Sequence, residues 1–85
     1  SRSALPARSE MCIRDRIIYI ADMIEPGRNF DGVDEIRRTT FNNLDKGVYF
    51  GLTSSIKILL ARNLLIDENT IKARNYFLFN PEFKL

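Results

Sequence analysis

The sequence predicts an all-α protein, and three observations support this fold class. Apolar residues recur at helical spacing in four segments of the 85-residue chain. Residues that favour helix starts and stops, such as Pro26, Asp67 and Pro81, lie at the ends of those segments. No segment combines strand-like alternation with turn chemistry, although residues 75–79 form a short run that resembles a strand.

The first predicted helix covers residues 17–24, where seven of eight residues are apolar and the eighth is Asp22. Pro26 and Gly27 end it, because proline disfavours helical geometry in the preceding residue and glycine permits a reversal. A helix with apolar residues on nearly every side is expected to be mostly buried. An ionised carboxylate there needs a metal, an arginine or several donors. Asp22 is therefore expected either to escape to the helix edge or pair with Arg28, or to bind a metal.

Two short helices are predicted from their capping residues. Asp31 is the expected N-cap of a helix over residues 33–41, whose first turn holds two further carboxylates. Asp67 is the expected N-cap of the last helix, over residues 68–79, which Pro81 ends.

The longest predicted helix covers residues 44–62, with Asn63 as its C-terminal cap. Its expected buried stripe consists of Leu44, Val48, Leu52, Ile56, Leu59 and Leu60. Gly47 and Gly51 lie one turn apart on one side, although glycine costs about 1 kcal/mol relative to alanine in a helix. They allow either close packing of a neighbouring helix or clearance for a ligand, and the pattern favours packing.

Residues 1–16, SRSALPARSEMCIRDR, are set apart because they show neither helical nor strand periodicity. This segment resembles a translated sequencing adaptor, and a disordered tail is the alternative interpretation. It is not a secretory signal, since no apolar run follows its basic start. The folded part is therefore predicted to be residues 17–85, which form one domain or part of one.

The composition of the predicted folded part limits its partners. Removing the four basic and two acidic residues of the first segment from totals of 13 and 11 leaves nine of each. A part without net charge offers no support for a nucleic-acid partner. No apolar run approaches the roughly 20 residues of a membrane span, so no membrane partner is expected. The only cysteine, Cys12, lies in the first segment and supports no disulfide.

The sequence contains no histidine, which excludes histidine-based acid–base catalysis and the usual zinc sites within these 85 residues. It also lacks GxGxxG and Walker-type phosphate loops. A catalytic divalent metal needs several protein ligands, and Asp22 is a single carboxylate. The chain is therefore either not an enzyme or part of a longer one.

Three stretches resemble a known family. Residues 17–28 read IIYIADMIEPGR, residues 30–37 read FDGVDEIR, and residues 69–76 read NTIKARNY. In order and spacing they are similar to the C-terminal part of the bacterial HD-domain phosphohydrolases that are symmetrical bis(5'-nucleosyl)-tetraphosphatases. The resemblance covers nearly all of residues 17–79. It implies that this all-α chain forms the C-terminal helices of an HD-domain helical bundle.

The resemblance also implies a function for the longer parent protein. The family hydrolyses dinucleoside polyphosphates, cleaving diadenosine tetraphosphate to two molecules of ADP, with a divalent metal that is implied to be iron. Asp22 matches the family's final aspartate metal ligand. The family's earlier histidine and His-Asp ligands would fall where residues 1–16 stand, so the chain alone is expected to be inactive. The implied location is the cytoplasm.

Four further residues have two interpretations each. Arg28 is expected either to bind a substrate phosphate or to pair with Glu25 or Asp22. Glu25 either orients a metal ligand through a hydrogen bond or pairs locally. Phe30 either stacks on a base or anchors its loop in the core, and Arg74 either touches phosphate or forms a structural ion pair. The alternatives for the whole chain are an HD phosphohydrolase acting on another nucleotide, or a non-catalytic α-helical binding module.

Overall fold

The computed structural model describes residues 12–80 and 83. Within these residues the chain forms four helices and no strand: α1 (Ile13–Met23), α2 (Val33–Asn42), α3 (Leu44–Ala61) and α4 (Glu68–Phe79). The all-α prediction is confirmed. The central element is α3, since α1, α2 and α4 each pack on it. No helix in the described ranges has both the length and the apolarity to cross a membrane.

The core lies where the three outer helices meet α3. Its buried residues are Ile20, Ile36, Val48, Tyr49, Leu52, Ala73 and Phe77. Val48 and Leu52 are fully buried one turn apart, on the predicted stripe of α3. Leu60 was also expected on that stripe, but 60% of it is exposed. A series at every fourth residue drifts about 40° per step around a helix, so Leu60 has turned away from the side that Leu52 occupies.

Gly47 and Gly51 are both buried in α3, and neighbouring helices approach them closely. A Cβ atom on Gly47 would lie 2.8 Å from the Cα atom of Thr40 in α2. A Cβ atom on Gly51 would lie 3.3 Å from Cδ1 of Ile20 in α1. The prediction that these glycines allow close helix packing is confirmed.

The ends of α3 and α4 carry the predicted capping residues. Asn63 adopts a left-handed conformation (φ 55°) two residues after Ala61, the last residue of α3. The backbone N–H of Leu64 then donates to the carbonyl of Leu59 at 2.9 Å, which satisfies one of the last carbonyls of the helix. At the start of α4, Oδ1 of Asp67 accepts a hydrogen bond from the N–H of Asn69 at 2.8 Å. Pro81, the predicted stop, lies outside the described residues.

The predicted N-cap of α2 is wrong by one residue. Gly32, rather than Asp31, precedes the helix, and it has a φ of 90° and no side-chain cap. Because the chain enters α2 through this left-handed residue, glycine suits the position better than aspartate. Asp31 instead lies in the loop, where it lines an open cavity.

The first helix begins at Ile13, four residues earlier than predicted. Its N-cap is Cys12, whose Sγ accepts from the N–H of Asp15 at 3.4 Å. Arg16 is mostly buried, pairs with Asp45 of α3 at 2.9 Å and lies 5.3 Å from the ring centroid of Phe77. Residues just before position 17 thus take part in the packing. The proposed boundary after residue 16 stays a prediction, and residues 1–11 lie outside the described ranges.

The expectation that the first helix is mostly buried is wrong for this chain. Ile20 is its one buried residue, while about half of the surface of Ile17 and of Ile18 is exposed. The physical reason is that, among the described residues, α1 packs mainly on α3, so most of its cover lies on one side.

Candidate functional site

Asp22 lies in the last turn of α1. Its Oδ2 atom accepts a hydrogen bond from Nη2 of Arg28 at 3.1 Å. The pair is open to solvent, since 73% of the Asp22 side chain and 51% of the Arg28 side chain are exposed. Asp22 thus has the arginine partner that one of its two interpretations required, and its role as a metal ligand stays a prediction.

The loop that carries Arg28 is held by Arg37 of α2. Nε of Arg37 donates to the backbone carbonyl of Ile24 at 2.9 Å. Its Nη2 donates to the carbonyls of Glu25 and Arg28, also at 2.9 Å. Its Nη1 donates to Oδ1 of Asp34 at 3.0 Å, which fixes the guanidinium from the other side. The Arg37 side chain therefore joins three points of the loop and fixes the position of the Arg28 backbone.

Glu25 contributes to this loop through its backbone. Its carbonyl accepts from the N–H of Arg28 at 2.9 Å as well as from Arg37. The residue itself is exposed. The role of its carboxylate beside a metal ligand stays a prediction.

Phe30 is half-buried and packs against the hydrophobic core. It also lines an open cavity of about 390 Å³ between the loop and the C-terminal half of α3. The other lining residues are Asp31, Ser54, Lys57, Ile58, Ala61 and Arg62. These contacts are those of a loop anchor, which is one of its two interpretations.

Arg74 of α4 is half-buried against α3. Its Nη2 donates to the hydroxyl of Tyr49 at 3.2 Å, and its Nε donates to Oγ1 of Thr53 at 3.3 Å. Its guanidinium carbon lies 5.3 Å from the centroid of the Tyr49 ring, a cation–π distance. Nη1 donates to Oδ1 of Asn75 at 2.9 Å. Arg74 therefore joins two helices, and the partners that it has among the described residues are neutral groups.

Tyr19 is the group near Asp22 whose acidity the fold changes. Its hydroxyl lies 3.3 Å from Oγ of Ser55 in α3. Burial raises the pKa of Tyr19 above its usual 10.0, the hydrogen bond with Ser55 acts in the opposite direction, and the charge of Asp22 adds to the increase. Tyr19 is therefore a neutral packing residue at physiological pH.

The described residues do not fit a complete metal site. Residues 12–80 and 83 contain no group of three or more histidine, cysteine, aspartate or glutamate side chains that could hold a metal ion. Asp22 supplies one carboxylate, and a catalytic metal needs several ligands. No reaction step can therefore run through a metal held by these residues alone.

Sequence reasoning missed the role of Arg37. It does pair with Asp34, but three of its four hydrogen bonds go to backbone carbonyls. The end of a helix leaves backbone carbonyls without intrahelical partners. Arg37, 13 residues after Ile24, supplies donors for such carbonyls. The spacing alone does not show that the loop folds back onto it.

Three curated proteins are similar to this chain, and each is named bis(5'-nucleosyl)-tetraphosphatase, symmetrical. The protein from Staphylococcus aureus is 35% identical over 77 residues, which cover 88% of this chain and 40% of that protein. The protein from Halalkalibacterium halodurans is 34% identical over 75 residues, with the same coverage. The protein from Bacillus subtilis is 30% identical over 69 residues, covering 81% of this chain and 37% of that protein. No family model matches the chain.

A solved structure is similar as well. It is described as a predicted HD superfamily hydrolase involved in NAD metabolism from Clostridium acetobutylicum. It is 41% identical in sequence and superposes with a TM-score of 0.76, over 86% of this chain and 39% of that one.

The helices and the sequence of this chain are thus those of an HD superfamily hydrolase. Within that superfamily, the chain is a partial sequence of the family of symmetrical bis(5'-nucleosyl)-tetraphosphatases. It spans about 40% of the length of the curated relatives that it matches.

Proposed function

We propose that the whole protein hydrolyses dinucleoside polyphosphates and cleaves diadenosine tetraphosphate symmetrically to two molecules of ADP. The observation that carries this proposal is the similarity over 88% of the chain to proteins named for that activity. Because the chain spans about 40% of those proteins, we expect these 85 residues to be inactive alone.

Asp22 is proposed to be one ligand of a divalent metal, with iron as the proposed ion. Its carboxylate is a hard oxygen donor and is exposed at the end of α1, where other parts of a longer chain could meet it. The further ligands would come from the part of the relatives that this chain does not match. When bound, such a metal polarises a phosphoryl oxygen and lowers the pKa of a water molecule.

Arg28 is proposed to bind a substrate phosphate beside that metal. Its guanidinium is half exposed and reaches the Asp22 carboxylate through Nη2, so it lies next to the proposed ligand. An arginine can hold two phosphate oxygens through parallel hydrogen bonds. The Glu25 carboxylate, which lies in the same loop as Arg28, is proposed to orient a metal ligand through a hydrogen bond. For Phe30, the contacts with the core support the loop anchor. For Arg74, the hydrogen bonds to α3 support a structural role through neutral partners.

A second candidate is an HD hydrolase acting on another nucleotide. The solved relative from Clostridium acetobutylicum is described through NAD metabolism rather than through a tetraphosphate. Both candidates share a phosphoanhydride substrate, a divalent metal and, by our proposal, a cytoplasmic location. They differ in the nucleotide that is cleaved.

The test uses a hybrid in which this chain replaces the matched stretch of the Staphylococcus aureus protein. We expect the hybrid to release ADP from diadenosine tetraphosphate in the presence of ferrous or manganous ion, as measured by chromatography. We expect Asp22→Asn to reduce the rate by at least about 100-fold, since loss of a metal ligand removes most of the metal's contribution. We expect Arg28→Ala to reduce it about tenfold or more.

The matched control is Glu35→Gln, which removes an exposed carboxylate that pairs with Arg38 on α2. This variant should retain the activity of the hybrid. If Asp22→Asn were as active as Glu35→Gln, the proposed ligand would be wrong. Faster cleavage of a guanosine polyphosphate than of diadenosine tetraphosphate would favour the second candidate.

A further inference from the structure

The two arginines of the candidate site, Arg28 and Arg37, use their hydrogen-bond donors differently. A guanidinium carries five N–H donors. Among the described residues, four donors of Arg37 are engaged at 2.9–3.0 Å, and 27% of its side chain is exposed. The Arg28 side chain is 51% exposed, and within the same residues its one hydrogen bond goes to Asp22. Arg28 therefore has donors left for the paired hydrogen bonds that hold a phosphate, whereas Arg37 does not.

The hydrogen bonds of Arg37 join the loop to a helix that is itself fixed. Arg37 lies on α2, whose Val33 and Ile36 are buried and which packs on α3. One of the carbonyls that it binds belongs to Ile24, which caps the end of α1. Another belongs to Arg28 itself. Arg37 thus fixes the backbone of Arg28 relative to α1, the helix that carries the proposed metal ligand.

The remaining contacts of the loop do not replace Arg37. The bond from the N–H of Arg28 to the carbonyl of Glu25 closes a turn within the loop. Phe30 anchors the loop in the core, but two residues after Arg28. Ordering a residue of a free loop costs conformational entropy, which a substrate would otherwise have to supply on binding. A binding group that is held in place beforehand avoids this cost.

We propose that Arg37 is a positioning residue for the phosphate-binding Arg28 and acts on the reaction only through it. Its charged donors hold the loop in the conformation that places the Arg28 guanidinium beside Asp22. Arg37 itself touches no substrate in this scheme, because its donors are engaged by the loop and by Asp34. This inference rests on the proposed function, since it gives Arg28 a substrate to bind.

The first experiment measures the order of the loop in the chain alone, without substrate. We expect the NMR order parameter of the Arg28 backbone N–H to be about 0.85 in the natural chain and to fall to about 0.6 or below in Arg37→Met. The matched control is Arg38→Met, which removes the neighbouring arginine of α2 and its exposed pair with Glu35. In this control the order parameter of Arg28 should not change.

The second experiment measures cleavage of diadenosine tetraphosphate by the hybrid with the Staphylococcus aureus protein, at a temperature where every variant is folded. We expect Arg37→Met to lower kcat/KM at least about fivefold and to divide the loss between kcat and KM as Arg28→Ala does. In the Arg28→Ala background, Arg37→Met should cost less than about twofold more, since both substitutions remove the same interaction.

A control variant separates this effect from a general loss of stability. Phe77 is 2% exposed and lies on α4, which packs on α3. We expect Phe77→Leu to lower the melting temperature of the hybrid, because it leaves a cavity in the core. Its kcat and KM should match those of the unsubstituted hybrid, since the loop is not changed.

Three results would overturn the proposal. An unchanged order parameter of Arg28 in Arg37→Met would show that the loop is ordered without Arg37. Losses from Arg28→Ala and Arg37→Met that multiply in the double variant would show that Arg37 acts independently of Arg28. A loss of kcat/KM in Phe77→Leu equal to that in Arg37→Met would reduce the effect to stability. A hybrid without any activity would contradict the proposed function instead, and the order parameter would still decide whether Arg37 positions Arg28.

Discussion

Arg37 holds the loop that carries Arg28 by donating hydrogen bonds to three backbone carbonyls. Its guanidinium donates to Ile24, Glu25 and Arg28 in the loop that follows α1. Hydrogen bonds from a charged donor are worth more than neutral ones, and three of them close one short loop. Arg28 lies in that loop, so the position of the Asp22–Arg28 pair depends on Arg37. Arg37 forms no hydrogen bond with either charged group of the pair.

We expect Arg37→Met to lower the free energy of unfolding by about 2 kcal/mol, since it leaves three carbonyls without their charged donor. Urea unfolding followed by circular dichroism measures the change. The matched control is Arg38→Met, which removes an exposed pair with Glu35 and should cost less than about 0.5 kcal/mol. Equal effects of the two substitutions would show that the loop does not need Arg37.

Tyr19 gives the chain a dependence of stability on alkaline pH. Since its folded pKa is raised above 10.0, the unfolded chain loses the phenolic proton first as the pH rises. The stabilisation is therefore complete below pH 10 and is lost as the pH rises from there through the folded pKa. We expect the melting temperature to fall more steeply above about pH 10 in the natural chain than in Tyr19→Phe. Parallel curves would contradict the buried phenol.

At the scale of the helices, Gly47 and Gly51 differ in what lies opposite them. A Cβ on Gly47 would meet the backbone of Thr40, whereas one on Gly51 would come within 2.8 Å of Sδ of Met23. Backbone cannot yield without moving α2, but a methionine side chain can change rotamer. We expect Gly47→Ala to destabilise the fold by about 1–3 kcal/mol despite alanine's helix propensity. Gly51→Ala should change stability by less than about 1 kcal/mol in either direction, as measured by urea unfolding.

The bounds and the buried sides of the helices could be predicted from the sequence only in part. The last helix has the predicted bounds of residues 68–79, because Asp67 is a strong local start signal that acts through its own side chain. α2 begins at Val33 as predicted, but its N-cap was misplaced by one residue, since Gly32 enters the helix through a backbone conformation that is not visible in the pattern of apolar residues. The exposure of Leu60 was missed for a geometric reason, as a spacing of four drifts around the helix.

The candidate site was predictable to a different degree. Asp22 and Arg28 were identified as a possible pair because they lie six residues apart around a helix end, and the structure contains that pair. The exposure of Asp22 could not be predicted from its apolar neighbours in the sequence, because exposure depends on which helices surround α1 and not on α1 itself. The Arg37 contacts could not be predicted, since they depend on the path of a loop between two helices.

At the scale of the whole molecule, the described residues supply a folded scaffold with a core centred on α3, and one carboxylate of a proposed metal site. A single exposed carboxylate holds a divalent ion weakly, so micromolar metal would bind few molecules and add almost no stability by mass action. The hybrid with the Staphylococcus aureus protein would hold the remaining proposed ligands, so the same metal concentration would lie well above its dissociation constant. The two proteins should therefore respond differently to the same ion.

We expect micromolar manganous or ferrous ion to raise the melting temperature of the isolated chain by less than about 1 °C, and that of the hybrid by several degrees. Differential scanning fluorimetry with and without a chelator measures both, and Asp22→Asn in the hybrid should remove most of the increase. A shift above about 5 °C in the isolated chain would mean that these residues hold a metal by themselves, contrary to the ligand set seen around Asp22. An equal increase in Asp22→Asn would instead place the metal of the hybrid away from α1.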